Sequence, residues 1–234
     1  MSIYRLFDDP VFPDPAEADP DGLLAIGGDL SPQRLVSAYA GGIFPWYAKG
    51  SPILWWSPDP RLVLFPQRLH VSASLKRCLN SGCFRYTLDK AFGHVIRACA
   101  NAPRPEQDGT WILPEMVQAY EGLHTLGFAH SAEAWARNAS GEDELVGGLY
   151  GVALGGVFFG ESMFCSTPNA SKALFATLVR WLDARGCTLI DCQQTTAHLL
   201  RFGAQELPRR EFLARLREGL SSNALAGPWD FATR

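Results

Sequence analysis

The sequence lacks the usual marks of a membrane or exported protein. Its 234 residues contain no run of about 18 apolar residues, which a membrane-spanning helix needs. The first residues, MSIYRLFDDPVFPDP, have neither the basic start nor the apolar stretch of a signal peptide. The six cysteines form no CxxC pair and have no histidine at metal-ligand spacing, which predicts reduced thiols and no metal site. We therefore expect a cytoplasmic protein.

Several common catalytic signatures are also missing. The chain has no G-x-S-x-G nucleophile elbow, no P-loop and no H-E-x-x-H zinc motif. The glycine-rich run GGLYGVALGG lies within a β-hairpin pattern and does not open a helix, so it does not fit a dinucleotide fingerprint. The five histidines are scattered singly, and we expect each to be structural. These absences argue against a hydrolase, a kinase and a dehydrogenase.

The charges are unevenly distributed. The net charge is −3, which by itself argues against a nucleic-acid partner. Residues 1–30 contain seven acids and one base, whereas residues 60–97 contain seven bases and one acid. The second segment could follow a phosphate backbone, or it could be an ordinary solvated face. Its bases are Arg61, Arg68, Lys76, Arg77, Arg85, Lys90 and Arg97.

The N-terminal part contains one clear helix and one unusual loop. In GGDLSPQRLVSAYAGG, Ser31 can cap a helix, Pro32 fits its first position, and a glycine pair ends it. The segment IFPWYAKGSPILWWSPDPR is too rich in proline and tryptophan for regular structure, yet too apolar for a linker. We expect a loop that packs on something or binds something. We place a small N-terminal lobe over residues 1–60 and the main domain over residues 61–234.

The main domain alternates predicted strands and helices. Strands are expected in RLVLFP, FRYTLD, SAEAWAR and TLIDCQ, and helices near residues 72–80 and in AFGHVIRACA, PEMVQAYEGLHTLG, NASKALFATLVRWLDARG, TTAHLLRFG and PRREFLARLREGL. The pair Gly155-Gly156 separates two β-rich runs and predicts a hairpin. An antiparallel hairpin among alternating elements indicates an α+β fold with a mixed sheet.

Two carboxylates follow apolar strands, where functional side chains are often placed. Glu161 follows the run VFF, and Asp191 follows the run TLI. Each could be catalytic, or each could belong to a structural ion pair. Alternation along a strand would place Asp191 and Gln193 on the same face, so that both side chains could reach one substrate.

Four tryptophans, Trp46, Trp55, Trp56 and Trp111, fall in predicted loops. Beside a basic segment they could stack on nucleic-acid bases, a contact worth roughly 1–3 kcal/mol per base. Alternatively, they fill the joint between two lobes, where large apolar side chains are needed. We expect Trp55 and Trp56 to be divided between these two roles.

A family resemblance is carried by nine short motifs that occur in a fixed order. They are GLLAIGGDLSP, YAGGIFPWY, ILWWSPDPR, GTWI, LVGGLYGV, GESMF, NASK, LIDCQ and LPRREF, and they extend from about Gly22 to about Phe212. With these motifs the chain resembles the leucyl/phenylalanyl-tRNA–protein transferases. The resemblance implies a GNAT-like main domain beside a small N-terminal lobe, with no metal, no acetyl-CoA and no other cofactor.

The resemblance also implies a reaction. The implied donors are Leu-tRNA, Phe-tRNA and, less well, Met-tRNA, and the implied acceptor is a protein that begins with Arg or Lys. The product would enter the N-degron pathway of protein degradation. Because an aminoacyl ester is already activated, the enzyme would mainly hold its carbonyl against a neutral amine. A small-molecule N-acyltransferase and a non-catalytic binder of the tRNA end are the alternatives that a transfer assay separates.

Binding residues follow where the motifs match. The resemblance implies that Trp46 stacks on the terminal adenosine of tRNA, with Tyr39 and Trp111 nearby. The pocket for the Leu or Phe side chain would be lined by Leu149, Phe158, Phe175, Leu178, Leu182 and Ile190.

The resemblance also implies which residues act on the reacting groups. Glu161, Asp191 and Gln193 would form the polar catalytic group. For our part, we expect Asp191 to orient the attacking amine and ultimately to take its proton, and Gln193 to relay or orient that contact, either by proton transfer or by positioning alone. The charge of the segment 60–97 adds a prediction of our own, that Lys76 and Arg77 contact the tRNA backbone.

Overall fold

The computed structural model describes residues 3–103 and 110–231, and its strands form two sheets. The strands of the first sheet are β1 (Tyr4–Leu6), β2 (Leu23–Gly27), β3 (Phe44–Pro45) and β4 (Leu54–Trp56). Their order is β1-β2-β4-β3. β3 and β4 lie in the segment that we predicted to be a loop. This prediction was wrong because β4 pairs on one side with β2 and on the other with β3, and such pairing overrides local composition.

The predicted N-terminal helix is confirmed as α1 (Pro32–Ala40). The Ser31 hydroxyl accepts the backbone N–H of Arg34 at 3.4 Å, and Pro32 is the first helical residue. Leu35 and Tyr39 lie one turn apart and are both buried. The helix thereby directs Tyr39 into the interior, where its ring lies 5.1 Å from the ring of Phe159.

The second sheet is mixed, as we predicted. Its strands are β5 (Arg61–Leu64), β6 (Arg85–Leu88), β7 (Ala129–Arg137), β8 (Asp143–Leu154), β9 (Val157–Cys165), β10 (Leu189–Gln193) and β11 (Gln205–Leu207). They are ordered β11-β5-β10-β9-β8-β7-β6. β9 and β10 run parallel, and the other neighbouring pairs run antiparallel. The sequence did not predict β11, a short edge strand.

The predicted hairpin at Gly155-Gly156 is confirmed. These two residues join β8 to β9, and Leu154 pairs directly with Val157. Gly155 has a φ of +61°, which L side chains rarely adopt. A Cβ atom there would also lie 2.8 Å from the carbonyl oxygen of Gly219. Glycine is therefore required at this turn.

Helices cover both faces of the second sheet. They are α2 (Ala73–Asn80), α3 (Phe92–Asn101), α4 (Pro114–Thr125), α5 (Ala170–Ala184), α6 (Ala197–Leu200) and α7 (Arg209–Leu220). One hydrophobic core contains buried residues of α1, α3, α4 and α7, and the other contains buried residues of α2 and α5. Strand alternation separates the cores, since Val157 and Phe159 belong to the first and Phe158 to the second.

The first core also continues into the N-terminal sheet, where it includes Leu24 and Trp55. The change from one sheet to the other falls between Trp56 and Arg61, next to the boundary that we placed at residue 60. The division into two domains stays a prediction, because this core is shared. Part of the predicted loop NAPRPEQDGTWILP, residues 104–109, lies outside the described residues.

The described residues were also searched for membrane and metal features. Within residues 3–103 and 110–231, no helix has both the length and the apolar character to cross a bilayer. The same part of the chain contains no group of three or more His, Cys, Asp or Glu side chains that could hold a metal ion.

Candidate active site

The candidate site lies where β9 and β10 stop pairing. Their last paired residues are Phe159 and Asp191. Just beyond, each strand has a β-bulge, in which Glu161 is the extra residue of β9 and Cys192 is the extra residue of β10. Bulges end regular pairing and redirect side chains. A cavity of about 570 Å³ opens at this point.

One wall of the cavity is apolar and belongs to the second sheet and to α5. It contains Leu149, Phe158, Phe175 and Ile190, four of the six residues that we predicted for an aminoacyl pocket. Because these four side chains are nonpolar, this wall suits a hydrophobic group such as a Leu or Phe side chain.

The other two predicted pocket residues do not line the cavity. Leu178 and Leu182 are fully buried in the second core. They follow Phe175 on α5 by one and two helical turns, and the rise of the helix carries them away from the opening. The sequence missed Met163, which does line the wall. It pairs directly with Leu149 across β8 and β9.

A second wall is aromatic and comes from the N-terminal sheet and the loop before α4. Phe44, Pro45, Trp46 and Trp111 line it. Trp56 supports Trp46, since its indole N–H donates to the Trp46 carbonyl at 2.6 Å and the two rings lie 5.9 Å apart. Trp46 is half-buried.

The other two tryptophans of this region differ in environment. Trp55 is fully buried, donates its indole N–H to the Gly27 carbonyl at 2.8 Å, and packs edge-on against Phe12. Neither Trp55 nor Trp56 lines the cavity. Both support the N-terminal sheet, with Trp55 buried and Trp56 part-exposed, and our expectation that they divide between filling and stacking stays a prediction.

The floor of the cavity carries a polar group centred on Glu161. Its carboxylate accepts hydrogen bonds from the Tyr39 hydroxyl at 2.7 Å, from the Tyr120 hydroxyl at 3.1 Å and from the Gln193 side-chain amide at 2.8 Å. Burial raises the pKa of Glu161 to about 7, although these three hydrogen bonds act in the opposite direction, and the charge of Asp191 adds to the rise. Glu161 is thus poised to change protonation near neutral pH.

Tyr39 is placed differently from our expectation. It is fully buried and does not line the cavity, so it cannot stack on a bound adenosine there. Its hydroxyl contacts both Glu161 and the hydroxyl of Tyr120. Burial raises the pKa of both tyrosines well above the usual value, so both act as hydrogen-bond donors to the carboxylate.

The sequence also missed Tyr120. It lies one turn from Met116 on the buried face of α4, a pattern that predicts a core residue. Nothing in that pattern indicates that the hydroxyl meets a carboxylate that lies 41 residues further along the chain.

Asp191 is not exposed to the cavity. Its carboxylate forms a two-pronged ion pair with Arg61, in which Nε donates at 2.8 Å and Nη2 at 2.7 Å. Both side chains are fully buried. The predicted alternation fails because of the bulge at Cys192, after which Gln193 has a φ of +62°. Gln193 therefore reaches the cavity and Asp191 does not.

The basic segment is less available than its composition suggests. Arg61 is internal, and Arg85 and Arg97 form surface ion pairs with Asp143 and Glu121. Lys76 and Arg77 are exposed on α2, as contact with a phosphate backbone would require. Their role stays a prediction.

Comparison with known proteins gives family matches along most of the chain. The sequence model described as leucyl/phenylalanyl-tRNA protein transferase matches residues 63–217, and the model of the N-terminal domain of the same family matches residues 28–59. A protein of Anaeromyxobacter sp. (strain Fw109-5), named leucyl/phenylalanyl-tRNA–protein transferase, is 62% identical over 230 residues, which cover 98% of this chain and 96% of that protein. A protein of the same name from Oleidesulfovibrio alaskensis is 58% identical and covers 98% and 92%.

Among solved structures, FemX is similar in fold. It is 10% identical in sequence and superposes with a TM-score of 0.50, covering 76% of this chain and 66% of that chain. At this identity the likeness concerns the fold alone.

Proposed function

Since the chain belongs to the leucyl/phenylalanyl-tRNA–protein transferase family, we propose that it transfers Leu or Phe from an aminoacyl-tRNA to the N-terminus of an acceptor protein. The observation that carries this proposal is that Glu161 and Gln193, joined by a hydrogen bond, line the same cavity as an apolar wall and an aromatic wall. An activated ester bound between those walls would present its carbonyl to the polar group.

The donor would bind to both walls. The Leu or Phe side chain would enter the space beside Phe158, Phe175 and Ile190. Met would be accepted less well, as the family resemblance implies. The terminal adenosine would stack on Trp46 and Trp111, which belong to the aromatic wall. Exposed bases of α2 would contact the phosphate backbone further along the tRNA.

The acceptor would approach Glu161. A protein whose first residue is Arg or Lys brings a cationic side chain and an α-amine, and both favour a carboxylate. We propose that such proteins are the acceptors, and that the modified proteins enter the N-degron pathway.

The chemistry is the aminolysis of an ester. The neutral α-amine attacks the ester carbonyl, the new C–N bond forms, and the C–O bond to the ribose breaks. The amine loses one proton and the ribose oxygen gains one. Ionised Glu161 is placed to accept the first proton and return it, while Gln193 orients the carboxylate. The ester is already activated, so the reaction as written uses no metal ion or cofactor.

We further propose the finer features that accompany this function. The main domain, residues 61–234, is GNAT-like, in keeping with the mixed sheet and the likeness in fold to FemX, and residues 1–60 form a separate lobe. The protein would act in the cytoplasm, because charged tRNA is present there.

A transfer assay tests the proposal. The purified protein is incubated with Leu-, Phe-, Met- or Ile-tRNA and a peptide that begins with Arg, and the product is identified by mass. We expect addition of Leu and Phe, weaker addition of Met and none of Ile. Matched peptides that begin with Ala or with acetylated Arg are controls. Equal transfer to the Ala peptide would reject the proposed acceptor, and no transfer to any peptide would reject the proposed function.

A further inference from the structure

We propose that Arg61 is a positioning residue for aminoacyl transfer, which holds Gln193 and the Trp46 wall in place without touching substrate. The inference rests on the proposed function, and it assigns a task to a base that the sequence placed in a tRNA-binding segment. Four contacts of the guanidinium carry it: two with Asp191, one with Phe44 and one with Phe212.

The first two contacts fix Asp191. Arg61 donates from Nε and Nη2 to the two carboxylate oxygens at 2.8 and 2.7 Å. Parallel hydrogen bonds of this kind set both the distance and the orientation of a carboxylate. A buried carboxylate that lost its partner would be strongly destabilised. Arg61 therefore determines where Asp191 lies.

Asp191 in turn fixes Gln193. The same oxygen that accepts from Arg61 Nε also accepts the backbone N–H of Gln193 at 2.9 Å. This bond spans the bulge and holds Gln193 at a φ of +62°, a conformation that non-glycine residues rarely adopt. In this conformation the side chain leaves the strand pattern and donates to Glu161. The position of the Gln193 amide thus depends on Arg61 through Asp191.

The other two contacts connect the site to distant elements. The guanidinium carbon lies 4.7 Å from the ring centre of Phe44 in β3 and 4.6 Å from that of Phe212 in α7. A planar guanidinium can stack on two rings, whereas an ammonium group cannot do so in the same way. Phe44 immediately precedes Pro45 and Trp46 in the aromatic wall. The Arg61 side chain therefore fixes the position of the polar floor relative to the wall proposed to bind adenosine.

Two other roles for Arg61 predict different behaviour. A phosphate contact would require exposure, and Arg61 has none. A purely structural ion pair would affect stability without affecting the geometry of Gln193. The variant Arg61→Lys keeps the positive charge but loses the paired hydrogen bonds to Asp191 and the stacking on Phe44 and Phe212. The matched control is Arg34→Lys, because Arg34 is also fully buried and bonded to backbone carbonyls and to Asp29.

We expect Arg61→Lys to lower kcat by about 100-fold, the scale of a misplacement of roughly 1 Å. KM for aminoacyl-tRNA should rise as well, because the Trp46 wall is displaced, but its salt dependence should change little because Arg61 contacts no phosphate. Arg34→Lys should lower the melting temperature but leave kcat near that of the wild type. The double variant Arg61→Met with Asp191→Leu removes both charges, so it should recover stability without recovering kcat. Recovery of kcat in the double variant would reduce the pair to a structural role.

Hydrogen exchange gives a second readout that does not depend on transfer activity. In Arg61→Lys, exchange should accelerate in peptides that contain residues 190–194 and 43–47, and Arg34→Lys should leave both unchanged. Wild-type kcat and unchanged exchange in Arg61→Lys would overturn the inference. An inactive wild-type protein would overturn the proposed function instead, and exchange would still decide whether Arg61 positions Gln193.

Discussion

Gln193 donates its side-chain amide to Glu161 at 2.8 Å, across the gap where the backbones of β9 and β10 no longer pair. This side-chain bond continues the connection between the two strands beyond their last backbone pair. It also couples two properties, because the charge on Glu161 and the placement of Gln193 affect each other. The protonation of Glu161 should therefore be measurable in both activity and stability.

The first prediction concerns the pH dependence of activity. The pKa of Glu161 is raised to about 7, so its ionised form appears as the pH rises through neutrality. The acceptor amine, with a pKa of about 7.7–8.0, loses its proton slightly higher. We expect kcat/KM for an Arg peptide to rise through both ionisations. Glu161→Gln should lower kcat by about 100-fold and remove the ionisation with the lower pKa from the profile. If the pH profiles of the wild type and of Glu161→Gln had the same shape, Glu161 would not be the base.

The second prediction concerns stability. The folded-state pKa of Glu161 lies above its usual value of 4.5, so the fold favours the protonated form. Its stabilising contribution is complete below pH 4.5 and is lost as the pH rises through about 7. The free energy of unfolding of the wild type, relative to that of Glu161→Gln, should fall by about 2 kcal/mol between these pH values. The fall is limited because Glu161 lines the cavity, where solvent screens its charge. Urea denaturation at a series of pH values measures it; a difference that grew with pH would contradict the shift.

Trp46 provides a test of the aromatic wall. Because it is half-buried and faces the cavity, Trp46→Ala should raise KM for aminoacyl-tRNA by about 5- to 100-fold, the value of one stacked base. Trp46→Phe keeps an aromatic ring and should therefore raise KM less than Trp46→Ala does. Phe7, which is 71% exposed, supplies a control in Phe7→Ala. An unchanged KM in Trp46→Ala would remove this residue from the site.

The exposed bases of α2 should account for part of the salt dependence. Lys76→Ala and Arg77→Ala should each lower the slope of log affinity against log salt concentration by about 0.7–0.9. The preference between Leu-tRNA and Phe-tRNA should not change, since Lys76 and Arg77 do not line the cavity. Arg217→Ala removes one exposed charge from α7 and serves as the control. If affinity were flat from low to moderate salt, the tRNA would be held by its end alone.

A core residue and a residue of the cavity wall should respond differently to truncation. Leu182→Ala should lower the free energy of unfolding by about 2–5 kcal/mol, as a buried core residue does, without changing the ratio of kcat/KM for Leu-tRNA and Phe-tRNA. Met163→Ala enlarges the cavity wall and should shift that ratio toward Phe by about 10-fold or more. A larger shift in Leu182→Ala than in Met163→Ala would return Leu182 to the pocket.

Local features of the fold could be predicted from the sequence because they depend on neighbouring residues. The cap at Ser31 and the turn at Gly155-Gly156 are set within a few positions. The strand of Trp55 and Trp56 could not be predicted in the same way, because it is held between β3 and β2, and β2 lies in another segment of the chain. Composition alone favoured a loop there.

The candidate site was predicted in its residue types but not in its geometry. Glu161 and Gln193 meet as the motifs suggested, yet the bulges that bring them together have no signature in the sequence. The partners of Asp191 and Glu161 were equally hidden, since Arg61 looked like a surface base and Tyr120 like a core residue. Roles that depend on contacts distant along the chain need the tertiary structure.

The order of synthesis adds a consequence of these distant contacts. Tyr39 meets a partner 122 positions later, and Arg61 meets a partner 130 positions later. Phe212, which stacks on Arg61, emerges later still. A nascent chain on the ribosome, surrounded by charged tRNA, therefore has no assembled site until nearly all of these residues have been made. The fold itself thus delays catalysis until the chain has been made at least as far as Phe212.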